Sequence, residues 1–438
     1  MSLPATSAPW RKRLGTWLVA DPEELPALVG GFLLFLLLFT AYMMLRPIRE
    51  TMGIAGGVDN LQWLFLATFL ATLLFVPLFG TLATRMPRRK LFPASYLFAT
   101  ATLIALGLMM MVDPTNIWLG RAFYVWLSVL NLFLISIAWS LMSDVFRPGQ
   151  AQRLFGQIAA GASLGGLAGP LISGLLVAQI GHGGLLMVSA ALLLCTLPCA
   201  NFLLRWRSAQ SADAEPTESP NQPIGGQIIG GLTLIAKSPQ LLGIALFVVL
   251  LASVSTFLYF EQAEMVAQAV PHPVRQTQLF SALDAVVQAL TIALQLFVTG
   301  RLARHMGVTF LLTAIPVAMV LGLGLLAFVS VFPVVLLVVV LRRVGEYALA
   351  RPGREMLFTR VDQEARYKAK NVIDTVVYRG GDAVSAWLKT AVDAVGAPVM
   401  LVGAGLAGLW ALVGFALGRS YDRRSATARD STAMERAD

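Results

Sequence analysis

Long apolar runs recur along the whole chain, and short polar or charged segments separate them. Each run has about 18 to 25 residues, the length at which a helix crosses a bilayer. The runs are continuously apolar and lack the alternation of a membrane β-barrel. We therefore predict an all-α polytopic membrane protein with about twelve transmembrane helices. The predicted spans lie at residues 27–45, 61–83, 91–112, 117–142, 152–177, 183–204, 239–260, 277–299, 308–329, 332–350, 371–395 and 398–418.

A polar stretch divides the predicted spans into two sets of six. Residues 205–223 (RWRSAQSADAEPTESPNQP) are rich in Ser, Pro and Ala, which is typical of a flexible linker. The two sets resemble each other, because GTLATRM (80–86) follows the second span and GRLARHM (300–306) follows the eighth. Such a parallel repeat of two pseudo-symmetric six-helix bundles resembles the major facilitator fold. The predicted parts are a cytoplasmic tail with an interfacial helix (1–26), a first bundle (27–204), a cytoplasmic linker (205–238), a second bundle (239–418) and a cytoplasmic tail (419–438).

Composition supports a membrane location. Hydrophobic residues make up 57% of the chain and charged residues only 13%, too few to cover the surface of a soluble protein of this length. The net charge of +9 fits the excess of Lys and Arg expected in cytoplasmic loops better than it fits nucleic-acid binding. Because these residues concentrate in one set of loops, we expect both termini in the cytoplasm and the protein in a bacterial inner membrane.

The sequence offers little for catalysis or metal binding. His182, His272 and His305 are scattered, and Cys195 and Cys199 share one apolar run in which packing is their plainer role. No nucleophile–base arrangement or phosphate-cradling loop is visible in the sequence. We predict no enzymatic activity, no metal and no cofactor, and we expect a monomer.

Two motifs resemble those of the major facilitator superfamily. In GTLATRMPRRK, Gly80 and the basic residues Arg85, Arg88 and Arg89 match the superfamily's loop motif after span two. The resemblance implies that these basic residues hold the inner gate. GGLAGPLISG (165–174) resembles the superfamily's antiporter motif, and its glycines permit close helix contact.

A more specific resemblance covers nearly the whole chain. RPIRE (46–50) resembles the Arg-x-x-Lys-Asp of span one in the bacterial and plastid ATP:ADP antiporter family. KAKNVIDTVVYRGG (368–381) resembles that family's basic segment entering span eleven, with Lys370, Asp374 and Arg379 at matching positions. The resemblance implies nucleotide exchange across a membrane and places Lys370 at the inner gate.

Two positions depart from that family's pattern. Arg49 stands where the family has its span-one lysine, and Asp382 stands where it has a lysine after the second glycine. The second departure reverses a charge. The chain is therefore identified as a divergent relative, and nucleotide is one candidate substrate among organic anions.

Arginines near the end of span one indicate an anion site. Arg46 and Arg49 lie three residues apart, so they share a helix face, and Pro47 between them loosens the backbone. A guanidinium binds carboxylate or phosphate with two hydrogen bonds. The alternative is contact with lipid headgroups, with Glu50 as partner. Arg121, early in span four, is either a second substrate contact or an interface anchor.

Three acids in spans seven and eight suggest gating or proton coupling. Glu261 and Glu264 end span seven, where they would close an outer gate or simply be solvated. Asp284 begins a polar stripe in span eight that continues to Gln288 and Gln295. We predict that Asp284 couples transport to protons, with pairing to an inward-facing arginine as its rival role.

Charged residues in spans ten and eleven predict a water-filled cavity between the helices. Arg342 and Glu346 lie four residues apart and are expected to pair, which would leave Arg343 to face a cavity if the span extends that far. Span eleven carries the most polar stripe, which is poor at meeting lipid and good at lining a pathway. Its members recur at spacings of three or four: Asp374, Tyr378, Asp382, Ser385 and Lys389.

These patterns predict a secondary active transporter that works by alternating access. Its predicted substrate is a small organic anion, with nucleotide-like or other phosphorylated compounds as candidates. Arg46, Arg49, Arg121, Arg343, Tyr378 and Arg379 are the predicted substrate-binding residues. Glu50, Glu261, Asp284, Glu346, Asp374 and Asp382 are the predicted proton-coupling or gating residues. The alternatives are a proton-coupled exporter of an amphiphilic drug, siderophore or lipid-like anion, and a non-transporting sensor or assembly subunit.

Overall fold

The structure, a computed structural model, describes residues 21–86, 88–210, 227–359, 361 and 363–434. Throughout these residues the chain is helical apart from short turns. The predicted interfacial helix of the N-terminal tail falls almost entirely outside them. The helices are α1 Leu25–Ala55, α2 Leu61–Arg85, α3 Arg88–Val112, α4 Ile117–Val145, α5 148–180, α6 182–210, α7 Gln227–Lys237, α8 Pro239–Ala269, α9 Pro273–Leu294, α10 Gly300–Phe328, α11 Phe332–Gly345, α12 Arg351–Phe358, α13 Gln363–Val372, α14 Tyr378–Ala394 and α15 Val399–Met434.

Glycines fold two of the longest helical stretches back on themselves. Eight stretches of the described chain are long and apolar enough to cross a membrane, among them Pro148–Gln210 and Pro273–Leu326. The first is interrupted at Gly181 (φ 68°) and the second at Gly307 (φ 74°), a backbone conformation that favours glycine. Each therefore provides two traverses. The charged stretches around α11 and α14 are also helical, so the described chain has a helix at each of the twelve predicted spans.

Helix α1 extends further than the apolar pattern predicts. The predicted span ends at residue 45, whereas the helix runs to Ala55 with Pro47 inside it. Charge ends an apolar run but does not end a helix, because arginine and glutamate are good helix formers. Arg46 and Arg49 therefore project from within a helix rather than from its end.

Contacts between helices divide the chain into two compact units. Unit 1 comprises described residues among 1–51, 81–222 and 277–285, and unit 2 comprises those among 52–80, 223–276 and 286–438. The predicted bundles 27–204 and 239–418 rest on a sequence repeat, which these contacts do not test, and they stay a prediction. Within the predicted linker 205–238, α6 continues to Gln210 and α7 forms a further helix.

In unit 1, glycines bring α5 against the backbone of α1. A Cβ added to Gly165 would lie 2.9 Å from the Thr40 nitrogen, and one added to Gly169 would lie 2.7 Å from the Met44 nitrogen. Gly161 meets Phe32 in the same way. The glycines of the antiporter-like motif therefore serve helix packing in this unit.

In unit 2, aromatic and aliphatic side chains form the core between α8, α10, α11 and α15. The rings of Phe247 and Trp410 lie 5.5 Å apart. Asp422 on α15 accepts hydrogen bonds from the backbone amides of Val308 (3.1 Å) and Thr309 (3.0 Å). It thereby caps the helix that restarts after Gly307.

Replacement of Gly165 by alanine tests the α1–α5 contact. The added methyl group has no space against backbone atoms of α1, so Gly165→Ala should lower the free energy of unfolding by about 1 to 3 kcal/mol. The measurement is the thermal transition of the detergent-purified protein. Gly156→Ala on the same helix is the matched control, since nothing lies within 4 Å of its added Cβ. Equal transitions for the two variants would contradict this packing.

Candidate substrate site

Two ion pairs of unit 1 start from neighbouring turns of α1, and one of them reaches α9. Together they form a four-charge cluster. Arg46 Nη1 lies 3.9 Å from Asp284 Oδ1, and Arg49 Nη2 donates a 2.5 Å hydrogen bond to Glu50 Oε1. Glu50 is 8% exposed and Asp284 only 3% exposed, while the two arginines are partly buried. Each guanidinium is therefore held beside one buried carboxylate.

Arg49 also contacts α4. Its Nη1 donates to Ser128 Oγ at 3.4 Å, and its guanidinium lies 5.2 Å from the centre of the Tyr124 ring. Ser128 in turn donates to the Tyr124 carbonyl at 2.8 Å. The aromatic face and the hydroxyl hold the guanidinium between α1 and α4.

The formal charges of this four-residue cluster cancel. Two arginines face two carboxylates, and burial strengthens the attraction because little water screens it. Glu50 Oε2 is buried and makes no hydrogen bond to any described residue. The cluster can thus exchange partners: an incoming anion can take a guanidinium from its carboxylate, provided that carboxylate finds a proton or another cation.

A polar link beyond the cluster escaped sequence analysis. The hydroxyls of Thr51 and Thr277 lie 2.7 Å apart, and His182 Nε2 lies 2.9 Å from Thr277 Oγ1. The link joins the last turns of α1 to the N-terminal part of α9 and to the first residue of α6. Isolated threonines and a lone histidine carry no sequence signal for such a contact.

Arg121 lies apart from these contacts along α4. Its guanidinium stacks 4.8 Å from the ring centre of Trp118, which is 74% exposed. This geometry fits the interface-anchor alternative, and the role in substrate binding stays a prediction.

The charges around α11 form a network within unit 2. Arg342 Nη1 donates to Glu346 Oε2 at 2.8 Å and to Ser255 Oγ at 2.5 Å, and Arg351 lies 3.7 Å from the same carboxylate. The expected pairing of Arg342 with Glu346 is therefore present. The side chain of Arg343, on α11, is buried.

The polar stripe of span eleven lies on the π-helical turn Ile373–Val377 and on α14. Arg379 lies 3.5 Å from the buried Asp382, which also accepts a 3.4 Å hydrogen bond from Thr256 on α8. Asp374 pairs with Arg354 at 2.8 Å. Tyr378 is half-buried between these pairs along the helix. The stripe thus binds unit 2 together through ion pairs, and its role toward a substrate stays a prediction.

Two other predicted gate residues have a polar partner, and a third is exposed. Glu261 accepts a 2.5 Å hydrogen bond from Ser330. Lys370 pairs with Glu355. Arg85 is exposed at the end of α2. The side chains of Arg88 and Arg89 lie outside the described part of the chain.

The Glu264 carboxylate ties α8 to α14. The buried Lys389 donates to it at 2.6 Å. Its gating role stays a prediction.

The described residues of unit 2 contain three π-helical turns. They lie at Gln295–Thr299, Glu346–Ala350 and Ile373–Val377. Gln295 Nε2 donates to the Tyr347 carbonyl at 3.1 Å, which joins the first turn to the second. Such turns often mark functional positions in helices. The residues of the predicted polar stripe of span eight belong to different units. Asp284 is buried in unit 1, and Gln295 makes its hydrogen bond within unit 2.

Known proteins resemble large parts of this chain. A family model described as Major Facilitator Superfamily matches residues 27–353. ADP,ATP carrier protein 1 of Chlamydia trachomatis is 23% identical over 78% of this chain and 72% of its own length. Multidrug resistance protein MdtG of Yersinia enterocolitica is 28% identical over 48% of each chain.

A solved structure shows the same fold. It is a bacterial homologue of the human lysosomal transporter Spinster, with a TM-score of 0.61 and 14% identity over 95% of this chain and 98% of that one. The predicted fold class is thereby confirmed, and so is the distant resemblance to ADP,ATP carriers. The prediction of no enzymatic activity is confirmed by the family itself. This chain belongs to the Major Facilitator Superfamily and is a multi-pass secondary transporter.

Proposed function

We propose that this transporter moves a small organic anion whose acidic group binds at Arg46 and Arg49. The observation that supports the proposal is the four-charge cluster of unit 1, in which two guanidiniums inside a transmembrane helix are each held by one exchangeable carboxylate. An embedded charge costs a few kcal/mol and is kept when it pairs or binds something. Phosphate and carboxylate both fit a guanidinium.

Charge balance couples this binding to a proton. The cluster is formally neutral, so an added anion would leave a net negative charge in a poorly hydrated site. Protonation of Asp284 or Glu50 restores neutrality and releases a guanidinium for the substrate. We infer that the anion and a proton occupy the site together, with Asp284 as the first candidate because it is the more buried carboxylate.

The names of relatives suggest two substrate classes. The chlamydial relative is named an ADP,ATP carrier, which supports a phosphorylated, nucleotide-like anion and an exchange mode. Arg49 and Asp382 depart from that family's pattern. The relative named a multidrug resistance protein, which matches only about half of this chain, supports export of an amphiphile as the second candidate.

The rest of the proposed cycle follows the superfamily's alternating access. We place the protein in a bacterial inner membrane with both termini cytoplasmic, since Lys and Arg concentrate in one set of loops. Arg343, Tyr378 and Arg379 remain proposed substrate contacts. The proposed inner gate still comprises Arg85, Arg88, Arg89 and Lys370.

Substitution of Arg49 tests the anion site. Arg49→Ala should reduce anion uptake into proteoliposomes more than tenfold, because the loss of one charged hydrogen bond contributes about 1.5 to 3 kcal/mol. Since Glu50 would then be buried without its partner, Arg49→Ala/Glu50→Gln is the control for folding: it should recover thermal stability but not uptake. Uptake by the double variant at the wild-type rate would count against the site.

Substitution of Asp284 tests proton coupling. Asp284→Asn cannot change charge, so a pH gradient should no longer drive uptake, while exchange of anion for anion should continue. The measurement compares gradient-driven uptake with counterflow in the same proteoliposomes. Asp113→Asn, at an exposed carboxylate between α3 and α4, is the control and should behave as wild type. Retained gradient-driven uptake by Asp284→Asn would exclude this role.

A further inference from the structure

The polar link between His182, Thr277 and Thr51 continues to the backbone of α1. His182 Nε2 lies 2.9 Å from the Thr277 hydroxyl, which lies 2.7 Å from the Thr51 hydroxyl. Thr51 in turn donates a hydrogen bond to the Pro47 carbonyl at 3.1 Å. Thr51 and Thr277 have no exposed surface, so bulk water does not supply other partners for their hydroxyl groups.

Hydrogen-bond counting gives the polar link one direction. A threonine hydroxyl has a single proton to donate, while its oxygen can also accept. Because Thr51 donates to the Pro47 carbonyl, Thr51 accepts from Thr277. Thr277 then accepts from His182, since its own proton is already used. The opposite direction would make one hydrogen bond fewer, and buried polar groups favour the fuller set, so His182 donates through a proton on Nε2.

The carbonyl that ends the polar link belongs to the turn of α1 that carries both arginines of the candidate site. Proline has no amide proton, so the backbone of α1 lacks one of its hydrogen bonds at Pro47. The polar link adds a contact where the helix itself is weakened. Arg46 precedes Pro47 directly and Arg49 follows shortly after it, so the position of this turn sets the position of both guanidiniums.

Helix α9 contacts α1 on both sides of Pro47. Thr277 meets Thr51 after the proline, and Asp284 pairs with Arg46 before it. Thr277 and Asp284 are separated by about two helical turns, so both project from the same face of α9. Both contacts lie within unit 1. Together they fix the weakened turn of α1 from its two ends.

We propose that His182, Thr277 and Thr51 are positioning residues of the anion site, which hold Arg46 and Arg49 in place through the turn at Pro47. The inference rests on the proposed function. The three side chains act through the arginines and not on the anion itself, so their loss weakens anion binding without abolishing it. The direction of the link requires a donor at position 182 and a hydroxyl at position 277.

Paired substitutions at Thr277 test the positioning role. Thr277→Val keeps the shape of the side chain but neither donates nor accepts, whereas Thr277→Ser keeps the hydroxyl. Thr277→Val should raise the KM for uptake of ADP or butanesulfonate into proteoliposomes roughly two- to tenfold, the effect of one neutral hydrogen bond. The maximal rate should change little, because anion binding is what is lost. Thr277→Ser should restore the wild-type KM.

Substitutions of two histidines provide a matched comparison. His182→Leu removes the donor and should raise the KM as much as Thr277→Val does, whereas His182→Gln keeps an N–H group and should restore the KM. His272→Leu is the control and should behave as wild type, because His272 is exposed and its side chain does not cap α9. The thermal transition of each variant establishes that it is folded.

Nitrogen-15 NMR tests the direction of the polar link without any substrate. The full chain is labelled at its three histidines and held in detergent. The spectra are recorded at about pH 8, where an exposed histidine is neutral. The signals of His182 are those lost in His182→Gln, and they should show a proton on Nε2. A neutral ring that carries its proton on Nδ1 would overturn the donor role of His182 and the proposal with it.

The outcomes separate this inference from the proposed function. An unchanged KM in folded Thr277→Val and His182→Leu would overturn the positioning role and leave the anion site in place. A lower maximal rate at an unchanged KM would also overturn it, because it would indicate that the link acts on a conformational step. If Arg49→Ala/Glu50→Gln takes up both probes as wild type does, the proposed function fails and this inference fails with it.

Discussion

Charge held inside transmembrane helices is the constraint on which this structure depends. A buried ion is tolerated when a partner lies close, and removal of one partner is far more damaging than removal of both. Unit 1 satisfies the constraint with Arg46 beside Asp284 and Arg49 beside Glu50. Unit 2 satisfies it with pairs such as Lys389 and Glu264. Pairs of this kind fix helix positions and can also be exchanged for a substrate.

One face of helix α1 packs against α5, and the opposite face carries Arg49. Phe32, Leu36, Thr40 and Met44 form the face whose backbone meets the glycines of α5. A second stripe of α1 consists of Leu38, Tyr42, Leu45 and Arg49. It lies about half a turn around the helix from that face. Close contact on the first face fixes the direction of the second, so the guanidinium is aimed at Ser128 and Tyr124. Glycines without any polar group thereby help to position a charged one.

The sequence predicts the helices well and the contacts between them poorly. Apolar runs define the spans, and charge marks Arg46, Arg49 and Asp284 as residues needing an explanation. The pattern ends span one at residue 45, because hydropathy cannot distinguish the end of an apolar run from the end of a helix. The link between Thr51, Thr277 and His182 depends on positions far apart in the chain. The π turns depend on backbone geometry that no residue type specifies.

Anion binding accompanied by proton uptake is the central claim, and one measurement tests it directly. Calorimetric titration with an alkylsulfonate, whose own charge does not change with pH, is repeated in buffers of different ionisation enthalpy. The dependence of the binding enthalpy on the buffer gives the number of protons that the protein takes up. The account predicts about one proton per bound anion. Binding that depends on Arg49 but takes up no proton would contradict it.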